Sequence, residues 1–111
     1  TGALEGPRRL NARKCISYLT IENRGEIPSE LAARLENSLY GCDTCQEVCP
    51  WNRFACPTEV EAFRPTPALL SFRKEDLKVF SREEYNRIFA KSAVKRAKYE
   101  GLIRNIHNLK D

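Results

Sequence analysis

A mainly α chain with irregular cysteine loops and a small helical C-terminal region is the fold this sequence predicts, and three observations predict it. Cys42, Cys45, Cys49 and Pro50 form a run, C-x2-C-x3-C-P, that reads as turns and a short helix. Ser81-Arg82-Glu83-Glu84 is a capping box, in which the serine and the second glutamate satisfy each other's orphan backbone donors at a helix start. From Ser92 to Leu109, apolar residues recur at helical spacing.

The 111 residues are enough for one domain but short for a deep, self-contained active site. With 41% hydrophobic and 31% charged residues, the composition is foldable rather than disordered or membrane-embedded. No apolar run approaches the roughly 20 residues that span a bilayer, and no signal-peptide pattern opens the chain. A cytoplasmic location is therefore expected. The chain begins at Thr1 and contains no methionine, which suggests a piece of a longer protein. Five cysteines, an odd number, argue against a closed disulfide framework and for metal ligands or redox groups in a reducing compartment.

Taken in order, TGALEGPRRLNARKC holds few apolar side chains and a Gly6-Pro7 turn signal, and is expected to be loop. ISYLTIE, residues 16–22, is β-branched and aromatic and reads as a short strand or extended segment. Asn23 to Ile27 is a turn. Pro28-Ser29-Glu30 then opens a helix carrying Leu31, Leu35 and Leu39 and ending at Gly41. Residues 53–71, with Pro57, Pro65 and Pro67, are expected to be irregular. The helix capped at Ser81 should bury Tyr85, Ile88 and Phe89. In the tail the apolar face moves: Ala93, Val94 and Ala97 share one side, while Tyr99, Leu102, Ile103, Ile106 and Leu109 lie roughly opposite. The switch centres on Gly101, a poor helix former, so a kink, a break or a change of packing partner is expected there.

The cysteines carry the chemistry. An iron–sulfur cluster needs thiolates converging on a compact inorganic core from turn-permitting backbone. Bacterial ferredoxins supply them from C-x2-C-x2-C-x3-C-P, whose cysteine before proline serves the other of two clusters. This chain has that run without its first cysteine. Cys42 and Cys45 would then grip one cluster, and Cys49 would reach across to a second. Cys15, 27 residues ahead of Cys42 and beside an apolar segment, is the candidate for a further ligand. The remaining thiolates must come from outside. Thr1-Gly2-Ala3 resembles the small residues found after the Cys-Pro of a ferredoxin run, which would put the missing half of the site immediately upstream. Cys56, beside Pro57, fits no cluster register and reads as a spare thiol. The segments are thus 1–56, a partial [4Fe–4S] ferredoxin-type module; 57–80, an irregular linker; and 81–111, a basic helical tail.

Rival readings stay open at this point. Zinc could be held by Cys15, Cys42, Cys45 and either Cys49 or Cys56, although zinc sites usually pair two C-x2-4-C knuckles and only one is present. Zinc could also fill a half-built cluster site in this chain by itself, or the chain could be metal-free. Buried structural thiols fit poorly with four cysteines between residues 15 and 49, and disulfides with the compartment. Trp51 is expected in an ordinary core, with shielding of a cluster edge as the second reading. His107 is expected to be a surface or core residue rather than a ligand.

The net charge of +4 is unevenly placed. Residues 1–80 balance 11 basic against 11 acidic side chains, whereas residues 81–111 set eight against Glu83, Glu84, Glu100 and Asp111. Lys91, Lys95, Arg96, Lys98 and Arg104 surround a helical segment that includes Tyr99. Such a patch suits a polyanion, with phosphate contacts giving salt-dependent affinity and aromatic planes stacking splayed bases. A solvated helix face is the plainer alternative.

ARKCISYLTIE, IPSEL, YGCDTCQEVCPWNRFA and KSAVKRAKYEGLIRNI together resemble the C-terminal, iron–sulfur portion of the epoxyqueuosine reductases. The likeness runs from Thr1 to about Leu109 and is thin between Cys56 and Val79. The cobalamin-dependent reductive dehalogenases share the double-cluster module but not these strings. The resemblance implies an oxidoreductase in which two [4Fe–4S] clusters relay electrons to cobalamin, reducing epoxyqueuosine to queuosine in a tRNA anticodon loop. It implies that Cys15, Cys42 and Cys45 share one cluster with the last cysteine of an upstream run. Cys49 would join the other three cysteines of that run at the second cluster. Ser17 and Asp43, next to ligand cysteines, become candidates for touching the corrin. tRNA, an N-terminal cobalamin domain of the same chain and an electron donor become the expected partners, with no membrane. The upstream run and the cobalamin domain with its acidic proton donor lie outside these 111 residues, so the chain by itself is expected to be inactive. A ferredoxin-like electron carrier and a zinc-bound nucleic-acid-binding module are the alternatives. The first would have no use for the basic tail, and the second would hold zinc without sulfide.

Overall fold

The computed structural model describes residues 1–110, and they form a mainly helical chain with one two-stranded hairpin among them. The hairpin lies where loop was expected: β1 (Leu4–Gly6) pairs antiparallel with β2 (Arg9–Leu10), Leu4 opposite Leu10. The turn itself was legible in Gly6-Pro7. Its flanking strands, of three and two residues, are too short to display an alternating pattern. A 3₁₀ turn over Ala12–Lys14, capped by the Asn11 side chain, leads to Cys15 in extended backbone.

ISYLTIE is a helix, α1 (Ile16–Ile21), and not the strand its β-branched residues suggested. As a strand it would mix apolar and polar side chains on both faces. As a helix it turns Leu19 and Thr20 into the interior, with Ile16 packed beside them. The Thr20 hydroxyl donates back to the Ile16 carbonyl at 2.8 Å, a bond available only at helical spacing. Packing outweighs propensity here.

The expected helix from Ser29 to Gly41 is also cut short. α2 spans Ser29–Ala32, and Glu36 turns the chain with φ +52. The leucines at helical spacing therefore part company. Leu35 joins Leu19 and Ile27 in one buried cluster, while Leu39 packs on a second, built from Phe80, Tyr85, Phe89 and Leu102. Gly41 takes φ +79, a conformation that favours glycine, and hands the chain to Cys42. The cysteine run then forms α3 (Thr44–Glu47) and a 3₁₀ turn over Pro50–Phe54.

Residues 55–73 are largely irregular apart from a 3₁₀ turn at Glu61–Phe63 and α4 (Pro67–Leu70). Further along, Phe72 meets Phe80 edge to face, ring centroids 5.3 Å apart, so the end of the 57–80 stretch belongs to the core. α5 (Arg82–Ile88) begins with the expected capping box: Ser81 Oγ accepts from the Glu84 amide, and Glu84 from the Ser81 amide. It buries Tyr85, with Phe89 just beyond its end and Ile88 half-buried against the same cluster. The break in the tail falls at Lys98, φ +61, and not at Gly101. It separates a 3₁₀ stretch, Ala93–Ala97, from α6 (Lys98–His107). Gly101 is buried inside α6, where a Cβ would come 3.7 Å from that of Ala97. No helix among the described residues is long and apolar enough to cross a membrane.

Candidate metal centre

Three short elements carry the cysteines. Cys15 and Cys49 each end an extended step and begin a helical turn, with ψ of 125° and 123°. Cys42 follows the left-handed Gly41, and Cys45 lies on α3. Cys15, Cys42 and Cys45 line one hollow of about 330 Å³ together with the chain's first four residues, and Leu10, Ile16 and Val48 supply apolar wall. Cys49 and Cys56 do not line it. All five thiols are free, Cys45 and Cys56 exposed and the others half-buried.

Among the described residues, no three His, Cys, Asp or Glu side chains converge closely enough to hold a single ion. The three thiols border the hollow without meeting at a point. That donor set suits a compact inorganic core reaching out to each sulfur better than one tetrahedral ion, whose thiolates must all lie about 2.3 Å from a common centre. Soft, all-sulfur ligands suit zinc and an iron–sulfur core alike, so the spread of the thiols rather than their chemistry distinguishes the two. The Cys42 sulfur also lies 3.4 Å from the Thr44 hydroxyl.

Behind the hollow lies a polar frame that the sequence reading missed. Thr20 and Asn105 are both fully buried. The Gly41 amide, one residue ahead of Cys42, donates to Thr20 Oγ1 at 3.0 Å. Asn105 Nδ2 donates to the carbonyls of Thr20 at 2.8 Å and Leu39 at 2.9 Å, so α6 joins α1 to the turn that leads into Cys42. Asn105 Oδ1 accepts from Arg104, which fixes the orientation of the amide. One signal was available. Asn105 sits between Leu102 and Ile106 on the apolar stripe of the tail, where a polar residue is out of place unless it has partners.

The basic residues separate into two groups. Arg104, expected on a tRNA-facing surface, points inward instead. Its Nη1 donates to Asn23 O and Gly25 O, both at 2.7 Å, its Nη2 to Leu19 O at 2.8 Å, and its remaining donors to Asn105. All five guanidinium donors are thereby used. Burial, and then the nearby Arg24 charge, lower its pKa. Lys91 and Lys98 are exposed. Lys95 donates to Asn86 Oδ1 at 2.6 Å and lies 4.5 Å above the Tyr85 ring. Arg96 Nε bonds Glu22 Oε1 at 2.8 Å, and this bond holds the Glu22 carboxyl below its ordinary range. Tyr99 is covered by the Arg82 guanidinium at 4.5 Å, and its hydroxyl donates to Phe80 O, so its ring is part of the packing.

The other candidates fall into place beside these. Ser17 is half-buried, its carbonyl accepting from the Thr20 hydroxyl at 3.3 Å. Asp43 is exposed and accepts from Gln46 at 3.1 Å. Neither lines the cysteine hollow, though Asp43 and Cys42 share a second hollow on their other side. Trp51 is 82% exposed and does not join a core as expected, because the 3₁₀ turn after Pro50 runs along the surface. His107 is exposed.

Residues 1–52 match the 4Fe-4S double cluster binding domain family. The chain is 47% identical to an epoxyqueuosine reductase of Cellulophaga algicola over 99% of this chain and 36% of the relative. It is 48% identical to one from Pseudomonas aeruginosa, over 96% of this chain and 29% of the relative. Among solved structures, a selenomethionine-labelled epoxyqueuosine reductase superposes on 97% of this chain and 28% of its own, with a TM-score of 0.85 and 34% identity. A second solved structure, of epoxyqueuosine reductase with an epoxyqueuosine-modified tRNA-Tyr stem loop, superposes over the same shares at 34% identity with a TM-score of 0.79. Over nearly its whole length this chain is similar to epoxyqueuosine reductases, and it spans about a third of the length of those relatives.

Proposed function

We propose that this chain is the iron–sulfur part of a cobalamin-dependent reductase that converts epoxyqueuosine to queuosine in tRNA. The observation that carries the reading is the division of the thiols: Cys15, Cys42 and Cys45 line one hollow and Cys49 lies off it. In a ferredoxin-like double-cluster arrangement the cysteine before proline serves the other cluster, and Cys49 precedes Pro50. Cys15, Cys42 and Cys45 would hold one [4Fe–4S] cluster with a fourth thiolate, and Cys49 the second with three more. Two such clusters take about eight thiolates. The chain has five cysteines, so the others come from outside these 111 residues.

When bound, the clusters would supply single electrons and cobalamin the low-valent cobalt that reduces the epoxide. The tasks of this chain are holding and shielding. Leu10, Ile16 and Val48 would give a seated cluster an apolar wall beside its sulfurs. With Cys42 deprotonated, the Thr44 hydroxyl becomes the donor to its sulfur. Ser17 and Asp43 would touch the corrin, contributed by another domain. Lys91, Lys95, Arg96 and Lys98 would meet the tRNA backbone, and Arg104 is withdrawn from that set because its donors are used internally. Segment 1–56 is then the cluster module and 81–111 the tRNA-facing tail, the two being joined through 57–80.

Anaerobic reconstitution with iron and sulfide tests this, on the chain as it stands and on a polypeptide that adds the remaining thiolates. The larger one should take up about eight irons, the content of two cubanes, with matching sulfide and cluster EPR signals, and the shorter one few. One tightly held zinc on the short chain, with no sulfide on either, would sink the reading in favour of a zinc module.

A further inference from the structure

α1 has six residues, too few to be stable by itself, and its last turn leaves carbonyls without helical partners. The tail supplies those partners: Leu19 O accepts from Arg104, Thr20 O from Asn105. The same Asn105 amide holds Leu39 O, and the Thr20 hydroxyl holds the Gly41 amide. The segment entering Cys42 is therefore tied at two points to the helix leaving Cys15, and both ties pass through side chains with essentially no exposure. From Cys42 onward the chain has little else to hold it, since none of residues 42–63 is buried.

We propose that Thr20 and Asn105 are positioning residues of the cluster site, setting the separation of the Cys15 and Cys42 thiols so that both reach one inorganic core. This rests on the cluster reading above and deepens it. Asn105 holds the backbone of both arms, and Thr20 closes the last link, at the residue next to the ligand. The tail accordingly has a second duty besides any surface it offers to a polyanion.

The test uses the polypeptide carrying all the thiolates, with Thr20→Val, which keeps the side chain's shape and removes its hydroxyl, and Thr20→Ser, which restores the hydroxyl. Iron and sulfide are counted per folded protein, with the folded fraction taken from circular dichroism, and the midpoint potentials are read by EPR. The expected Thr20→Val result is a fall from about eight irons to about four or fewer, because the Cys15, Cys42 and Cys45 cluster is lost and Cys49 lies further along the same arm. Thr20→Ser should return the count to that of the parent. About eight irons with unchanged potentials in Thr20→Val overturns the proposal and leaves the cluster reading intact. A parent protein that takes up no iron and sulfide overturns both. Should Thr20→Val not fold, amide exchange on the unmodified chain decides: Gly41 N–H must exchange far more slowly than the neighbouring exposed amides. Rapid exchange there overturns the proposal.

Discussion

The cysteine region and the aromatic tail meet the demands of folding in opposite ways. In the tail, Phe80, Tyr85, Phe89 and Leu102 close a core whose rings meet edge to face, Phe80 and Phe89 at 6.3 Å and Tyr85 and Tyr99 at 5.7 Å. Across the cysteine run and beyond, Val48, Trp51, Phe54 and Phe63 are between 65% and 82% exposed. A stretch that leaves such side chains in water gains its order from what it binds or abuts rather than from itself. The tail is the frame, and the cysteine arms are hung from it by a few polar contacts.

Truncation at each end gives the widest test of that contrast. Leu102→Ala removes a side chain that is 1% exposed at the centre of the tail cluster. It should cost about 2–5 kcal/mol, the usual range for a buried leucine. Trp51→Ala, although it deletes a larger side chain, should stay within about 0.5 kcal/mol of the parent, as surface changes do. Urea denaturation followed by circular dichroism measures both. Equal losses at the two sites would mean that the cysteine region has a core of its own and would break the comparison.

The joint between the regions gives a smaller effect. Arg104→Met leaves the carbonyls of Leu19 and Asn23 and the Asn105 oxygen without their donor, while Gly25 O keeps its bond from Asn23 Nδ2. A loss of about 2 kcal/mol is expected from the worth of hydrogen bonds to a charged group. On the proposed tRNA-facing role of the tail, the folded variant should bind a tRNA stem loop no more weakly than the parent, because this guanidinium has no donor to spare. Weakened binding at unchanged folded fraction, measured by fluorescence anisotropy across a salt series, would return Arg104 to the nucleic-acid surface.

Much of this was legible in the sequence, and the exceptions share a cause. The cap at Ser81 and the irregular course after Phe54 depend on local chemistry, which a linear reading captures. The conformation of ISYLTIE does not. Its helix exists because residues 72 to 85 positions away cap and hold it, with Asn105 on Thr20 O and Arg24 reaching Arg96 O and Ala97 O from just beyond its end. The pairing of Cys42 with Cys45 could be read from their C-x2-C spacing, whereas Cys15 was placed beside them only by the family resemblance. The means of holding them was not readable, since Thr20, Gly41 and Asn105 have no motif in common and meet only in space. Tail positivity misled at one residue for the same reason, since a guanidinium serves a carbonyl cluster as readily as a phosphate.

The last and smallest effect concerns the ion pairs at the surface of the same joint. Glu22, just past α1, bonds Arg96, just before α6, and Glu100 bonds Arg82 within the tail at 2.6 Å. Each bond holds its carboxyl below the ordinary glutamate value of about 4.3. A carboxyl depressed in the folded state binds its proton more readily when unfolded. The pair therefore contributes stability above that ordinary value, and the contribution is lost as pH falls through the lowered one. Both pairs are well exposed, so salt screens them and the contribution is small. Arg96→Gln should melt slightly below the parent at pH 7, and the gap should close on acidification and in high salt. If Arg82→Gln behaves alike while only Arg96→Gln loosens the protection of the Gly41 amide, the Glu22 pair helps hold the cysteine arms to the frame. A melting gap for Arg96→Gln that persists in acid would instead assign its effect to packing against the neighbouring backbone, and the joint would then rest on its buried bonds alone.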